Sequence, residues 1–140
     1  MNITLATESG STAQTIALVI EDSAPARDMI VRYLHQFGFH VLTASNGEEA
    51  IEQISRYKPN IIILDVVLPD RNGFAICRDL KAAAETTNIP IVLCSIKTSH
   101  ADRFWGLKQG ADAYLSKPVA EEDLLHAVRN CLGWKYVKSE

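Results

Sequence analysis

The sequence predicts an α/β fold in which five parallel strands form one sheet with helices on both faces. Three observations carry this expectation. Short apolar runs alternate five times with segments of helical period. The run Ile61-Ile62-Ile63-Leu64 is apolar without alternation, as expected of a strand covered on both faces. Each strand–helix unit is short, and such units join through right-handed crossovers into a parallel sheet. Parallel strands present their carboxyl ends on one edge, where ligands and chemistry gather. Four of the five runs deliver polar groups there: Glu21-Asp22, Asp65, Ser95 and Lys117. The fifth, Phe39–Ala44, delivers none.

A chain of 140 residues can bury one real core but not two comfortable ones. With 47% apolar and 22% charged residues the composition is globular, neither disordered nor fibrous. A net charge of −3 and a pI near 5.8 argue against a broad nucleic-acid footprint. No apolar run approaches the length of a bilayer span. The N-terminus lacks a basic region followed by an apolar stretch. A cytoplasmic protein without membrane insertion is therefore expected. Cys77, Cys94 and Cys131 sit at no metal-binding spacing and read as reduced, buried thiols.

The elements follow in order. Residues 1–15 are rich in Ser and Thr, lack any period, and read as a mobile tail. Ile16–Ile20 is the first strand. Ser23 is placed to cap a helix with Pro25 in its first turn. Met29, Ile30, Tyr33, Leu34 and Phe37 recur at helical spacing, and Gly38 stands where that helix stops. Phe39–Ala44 is the second strand. Asn46, three residues before Glu49, opens the next helix in a capping-box pattern, with Ala50, Ile51 and Ile54 inward. Ile61–Asp65 is the third strand, Pro69 and Gly73 mark its loop, and a helix runs on to about Ala84. The fourth strand follows Pro90. A helix from about Ser99 to Gln109 stops at Gly110. The fifth strand, Ala113–Ser116, is short, and the last helix spans roughly Glu121–Leu132. The folded domain is thus 16–132, with 133–140 as a short tail.

Adjacent first and third strands would bring Glu21, Asp22 and Asp65 together. Carboxylates that close raise one another's pKa unless something neutralises them. A hard divalent cation does so, and Mg²⁺ suits a partly open, oxygen-lined site. Asp22 and Asp65 are expected as direct ligands, Glu21 as a ligand through water, and the Val67 carbonyl as a further one. Lys117 adds a cation that can pair with a carboxylate and then with a phosphoryl group. Ser95 adds a hydroxyl that can donate to a phosphate oxygen. Singly, each acid reads more readily as a solvated loop residue or a cap, Lys117 as a surface amine and Ser95 as a cap. As a set they describe a phosphoryl-transfer site with Asp65 as nucleophile and an acyl phosphate as product.

Glu21-Asp22, Asp65-Val66-Val67-Leu68-Pro69 with Gly73, Ser95, and Tyr114-Leu115-Ser116-Lys117-Pro118 resemble the response-regulator receiver domain, in order and interval. The resemblance covers about Ile16 to Leu132. It implies a doubly wound, flavodoxin-like (βα)₅ sheet of order 2-1-3-4-5. It implies that Asp65 takes phosphate from a histidine kinase or phosphotransfer protein, and that the Lys117–Pro118 bond is cis. It also supplies a switch. The Ser95 hydroxyl moves to the phosphate, the Tyr114 ring turns into the vacated space, and the face of fourth helix, fifth strand and fifth helix changes. A downstream protein target, not named by the sequence, reads that face, and two copies can pair through it. The protein is expected to be a stand-alone signalling module whose only chemistry is its own phosphorylation and dephosphorylation.

Two positions depart from the family pattern. Ile96 follows Ser95 where a small residue is usual, and its bulk is expected to narrow access to Asp65. Glu21 replaces the usual first Asp. Lys97 and Val67 flank the site at positions that tune dephosphorylation in the family. The run Asp102–Ala111 with Tyr114–Val119 is similar to single-domain regulators of type IV pilus chemosensory systems, which act in twitching motility and phototaxis. Trp105 reads either as a partner anchor on the signalling face or as a ring packed over its own helix, with Trp134 and Tyr136 as similar candidates. An ATPase would need a glycine-rich loop ending in Gly-Lys-Ser/Thr, and a dinucleotide enzyme a glycine fingerprint after the first strand; the chain has neither. The remaining alternative is a constitutive interaction module that keeps the fold but is not phosphorylated.

Overall fold

The computed structural model describes residues 15–133. Of the tails expected at 1–15 and 133–140, residues 1–14 and 134–140, with Trp134 and Tyr136, lie outside the described residues. Strands and helices alternate as β1 (Ile16–Ile20), α1 (Ala24–Gln36), β2 (His40–Ala44), α2 (Gly47–Tyr57), β3 (Ile61–Asp65), α3 (Gly73–Ala82), β4 (Ile91–Ser95), α4 (His100–Lys108), β5 (Ala113–Ser116) and α5 (Glu121–Leu132). All neighbouring strands pair in parallel, in the order β2-β1-β3-β4-β5. This is the doubly wound order that the resemblance implied.

Successive strand residues point to opposite faces, so continuous apolar runs feed two cores. Ala17, Val19, Ile61, Ile63 and Val92 pack with Ile30 and Leu34 of α1 and Leu124 and Val128 of α5. Leu18, Ile20, Ile62, Leu64 and Leu93 pack on the other face with Ala50 and Ile54 of α2 and Ile76 of α3. Leu18, Ile62 and Leu64 are fully buried, and each such side chain contributes about 2 kcal/mol by leaving water. The layers leave only the strand ends open for chemistry.

Local differences from the sequence expectation have local causes. Phe39 belongs to the end of α1 rather than to β2. Gly38 turns left-handed at φ 101°, and the Gly38 and Phe39 N–H groups bond to the His35 and Leu34 carbonyls in a Schellman closure. Ser23 occupies the α1 cap position, but its side chain makes no capping bond; its N–H is taken instead by Glu21 Oε2 at 3.1 Å. Asn46 does cap α2, accepting from Glu49 N–H at 2.8 Å, while the Glu49 carboxylate reaches back one residue further, to Ser45 N–H. Helix α3 ends at Ala82, short of the expected Ala84. Thr15, assigned to the tail, is 2% exposed, and its carbonyl accepts from His40 N–H. The folded part therefore begins at least one residue earlier than the sequence suggested.

Candidate functional site

The sheet order places the ends of β1 and β3 side by side. Carboxylate oxygens of Glu21, Asp22 and Asp65 come within 4.8 Å of one another. Lys117 enters from beyond β5, past β4, and its length lets it cross that gap. Its Nζ lies 2.7 Å from Glu21 Oε1 and 3.4 Å from Asp65 Oδ2. The Lys117–Pro118 peptide bond is cis. Ser95 closes β4 with its hydroxyl buried, where Oγ accepts from Lys97 N–H at 3.0 Å. The four polar strand ends read from the sequence thus share one edge.

The charges there are unequally compensated. Asp65 is 6% exposed. Burial, reinforced by the negative charge of Glu21, raises its pKa to about 6, against the pull of Lys117 and of Val67 N–H. Burial opposes the Lys117 charge too, but the Glu21 hydrogen bond and the two nearby carboxylates outweigh it, and its pKa is raised. Glu21 is engaged at both oxygens, by Lys117 and by Ser23 N–H. Asp65 offers Oδ1 to Val67 N–H at 3.2 Å and Oδ2 to Lys117. Asp22 is exposed at the mouth. The Cys94 thiol beside Asp65 in the register is buried and pushed up to about 12, which keeps it inert.

The loop after β3 is folded tightly back on Asp65. Val67 pairs with Asn72 across it, and Gly73 N–H bonds to Val66 O at 2.7 Å. A Cβ at Gly73 would lie 2.4 Å from the Asp65 carbonyl oxygen, so only glycine permits this approach. Val67 is 55% exposed and Ile96 75% exposed. Both border a cleft of ≈ 300 Å³ that contains Asp22, Asp65 and Lys117. Ile96 also borders a mainly apolar groove of ≈ 420 Å³ beside Met29 of α1 and Pro118.

Tyr114 is only 7% exposed, and its hydroxyl donates to the Lys97 carbonyl. Arg103 lies over the ring, 5.5 Å from its centroid, and donates to Tyr114 O and Ser116 Oγ. A Cβ at Gly106 would sit 2.7 Å from Tyr114 Cδ2. The ring is thus buried against Gly106 and Leu93 while the Ser95 hydroxyl still accepts from Lys97 N–H. Trp105 is 51% exposed and Phe104 65% exposed on the outside of α4, which favours the anchor reading of Trp105 over the packed one. Sequence reasoning missed Arg103, Gly106 and Asp70. A lone glycine inside a helical pattern is a usable signal for Gly106; Arg103 and Asp70 carry none.

The response regulator receiver domain family matches residues 17–129. Protein PilH of Pseudomonas aeruginosa is 36% identical over 116 residues, covering 83% of this chain and 96% of that protein. Other curated relatives are transcriptional regulators, and the chain spans about half of their length. A candidate response regulator from Chloroflexus aurantiacus superposes with a TM-score of 0.82 at 29% identity, over 86% of this chain and 99% of the other. The chemotaxis response regulator CheY4 of Vibrio cholerae superposes with a TM-score of 0.79 at 28% identity, over 86% and 100%. With the family matched over residues 17–129, a relative 36% identical over most of both lengths, and the same fold in solved receivers, the chain belongs to the response regulator receiver domain family.

Proposed function

We propose that the chain is a phosphorylation-operated receiver in which Asp65 accepts a phosphoryl group from the phosphohistidine of a kinase or phosphotransfer protein. The observation that carries this reading is the convergence of Asp65, Asp22 and Glu21 with Lys117 at one open strand edge. An Asp65 carboxylate oxygen attacks phosphorus, the P–N bond to the donor imidazole breaks, and an acyl phosphate remains on Asp65. Lys117 moves its charge from Glu21 and Asp65 toward the new phosphoryl oxygens, and the Ser95 hydroxyl leaves Lys97 N–H to donate to one of them. An all-oxygen, poorly neutralised donor set fits Mg²⁺. Asp22, Asp65 and the Val67 carbonyl would hold it, with Glu21 through water, and bound there it offsets the charge of the incoming phosphate. The output is protein binding at the α4–β5–α5 face, where two copies can also pair. The relation to PilH and to a chemotaxis regulator supports a cytoplasmic role in motility or chemosensory signalling; among the described residues no helix is long and apolar enough to cross a membrane.

The test is incubation with Mg²⁺ and acetyl phosphate or beryllofluoride, followed through tryptophan and tyrosine spectra. A response in the wild type that is lost in Asp65→Asn supports the reading; no response in the wild type removes it. The second reading, an interaction module that keeps the fold without phosphorylation, is the one that a silent wild type favours. Under the first reading Ile96 gates small molecules at the cleft mouth. Ile96→Ala is expected to speed both autophosphorylation by acetyl phosphate and hydrolysis by water about two- to fivefold, a barrier change of about 0.4–1 kcal/mol. Stopped-flow and phosphate-release assays check it, and unchanged rates for both would discard the gate.

A further inference from the structure

We infer that Asp70 is a positioning residue for the metal-binding loop, acting as a tether between that loop and the first turn of α2. This rests on the proposed Mg²⁺ site and deepens it. Asp70 lies in the segment between Asp65 and Gly73, five residues beyond the carboxylate it serves. Its Oδ1 accepts from Gly47 N–H at 2.8 Å and its Oδ2 from Glu48 N–H at 3.0 Å. The Gly47 N–H bond leads in holding its carboxyl below the usual range, the sign of a well-made acceptor.

Helix α2 has a cap of its own in Asn46, which serves Glu49 N–H. The exposed Glu48 N–H is within reach of water, whereas Gly47 is buried and its N–H finds its partner in the loop. The two bonds span 23 and 22 residues, so what they fix is the loop. Arg71 strengthens the contact by lying across Gly47: a Cβ there would sit 2.8 Å from Arg71 Cδ. Within the loop, Val67 N–H is on Asp65 Oδ1 and Val67 pairs with Asn72. Two kinds of contact refer the loop to the rest of the fold. At its start Val66 N–H bonds to Cys94 O of β4, and Val66 and Leu68 are buried in the core. In its far half Asp70 grips α2. The Val67 carbonyl, a proposed ligand supplied by main chain, lies between these references and has no side-chain torsions with which to correct an error in loop position. Its placement therefore draws on both, and Asp70 is the hydrogen-bonded reference on the far side.

Calorimetric titration with Mg²⁺ alone, on the full chain, tests this. The wild type binds, and Asp70→Ala weakens binding about tenfold, the low end of what losing an outer partner does to a metal site. Asp70→Asn keeps one of the two acceptor oxygens and none of the charge, and it recovers part of that loss. Asn46→Ala weakens the same helix without touching the tether, and it binds as the wild type does. Hydrogen exchange at Gly47 and Glu48 speeds up in Asp70→Ala, which registers the broken tether. Wild-type affinity in Asp70→Ala overturns the inference and leaves the proposed site standing. Equal losses in the Ala and Asn variants, with exchange at Gly47 still slow in Asn, assign the effect to charge and overturn it. A matching loss in Asn46→Ala assigns it to helix stability and also overturns it. A wild type that binds no Mg²⁺ removes the proposed site and the tether's role together.

Discussion

Asp65→Asn melts at a higher temperature than the wild type at pH 7 without Mg²⁺, and the gap narrows as the pH falls toward 4. The folded-state pKa of Asp65 is raised from 3.8 to about 6. An acid with a raised pKa binds more protons folded than unfolded across that interval, so stability is present below the lower value and is lost as pH climbs through the upper one. At neutral pH the ionised side chain therefore works against folding, by about 3 kcal/mol. Asparagine keeps the size and removes the charge, and it leaves Lys117 on Glu21 at 2.7 Å. Because the buried amide is itself desolvated, about half of the penalty is recovered, and the expected gain is about 5–9 °C for a domain of this length. Mg²⁺ reverses the ranking, because a ligand that binds only the folded state adds about 2.7 kcal/mol at a hundred times its dissociation constant. Asp65→Asn has lost a ligand and gains little. Melts at pH 4, 5, 6 and 7, with and without Mg²⁺, read all of this. Coincident midpoints across the series would mean that the acidic edge stores no strain.

Gly106→Ala displaces the Tyr114 ring and breaks the bond from its hydroxyl to Lys97. Alanine is the better residue inside a helix, by about 1 kcal/mol. Here a methyl group would stand 2.7 Å from Cδ2 and 2.9 Å from Cε2 of Tyr114, with Leu93 Cδ1 at 3.2 Å behind. The close atoms belong to the body of a ring held at its far end by Lys97 and covered by Arg103. That ring cannot yield by a few tenths of an ångström without losing its hydrogen bond. Expulsion exposes an aromatic worth about 2 kcal/mol and outweighs the gain in helix propensity. The variant should be about 1 kcal/mol less stable in urea, with a weakened tyrosine near-UV band and a Tyr114 ring resonance moved toward its solvent value. An unchanged band with a gain in stability would show that glycine at this position does not set the ring. If the ring carries the output, partner binding that prefers the inward ring falls in parallel.

The legible and illegible parts of this protein divide by range. Ile16–Ile20 and Ile61–Asp65 were readable to the residue because a strand covered on both faces must be apolar throughout. Phe39 was misplaced because a Schellman closure and a strand start use the same kind of residue, and only the bond to Leu34 decides between them. The site was readable because its members fall at strand ends, which the βα alternation brings to one edge. What could not be read are contacts between residues far apart in the chain whose types fit ordinary local roles. Asp70 after Pro69 is a normal turn residue, and nothing in its neighbours announces two donors more than twenty positions upstream. Glu21 reads as a metal acid, yet both of its oxygens are taken by protein donors.

Residue 97 is gripped from both directions, its amide by the hydroxyl of Ser95 and its carbonyl by that of Tyr114. Under the proposed switch, a shift of the Ser95 hydroxyl reaches the Tyr114 ring through this one stretch of main chain. The exposed amine at this position takes no part in the conduction, so it is free to diversify toward whatever molecule visits the rim while the wire beneath it stays whole.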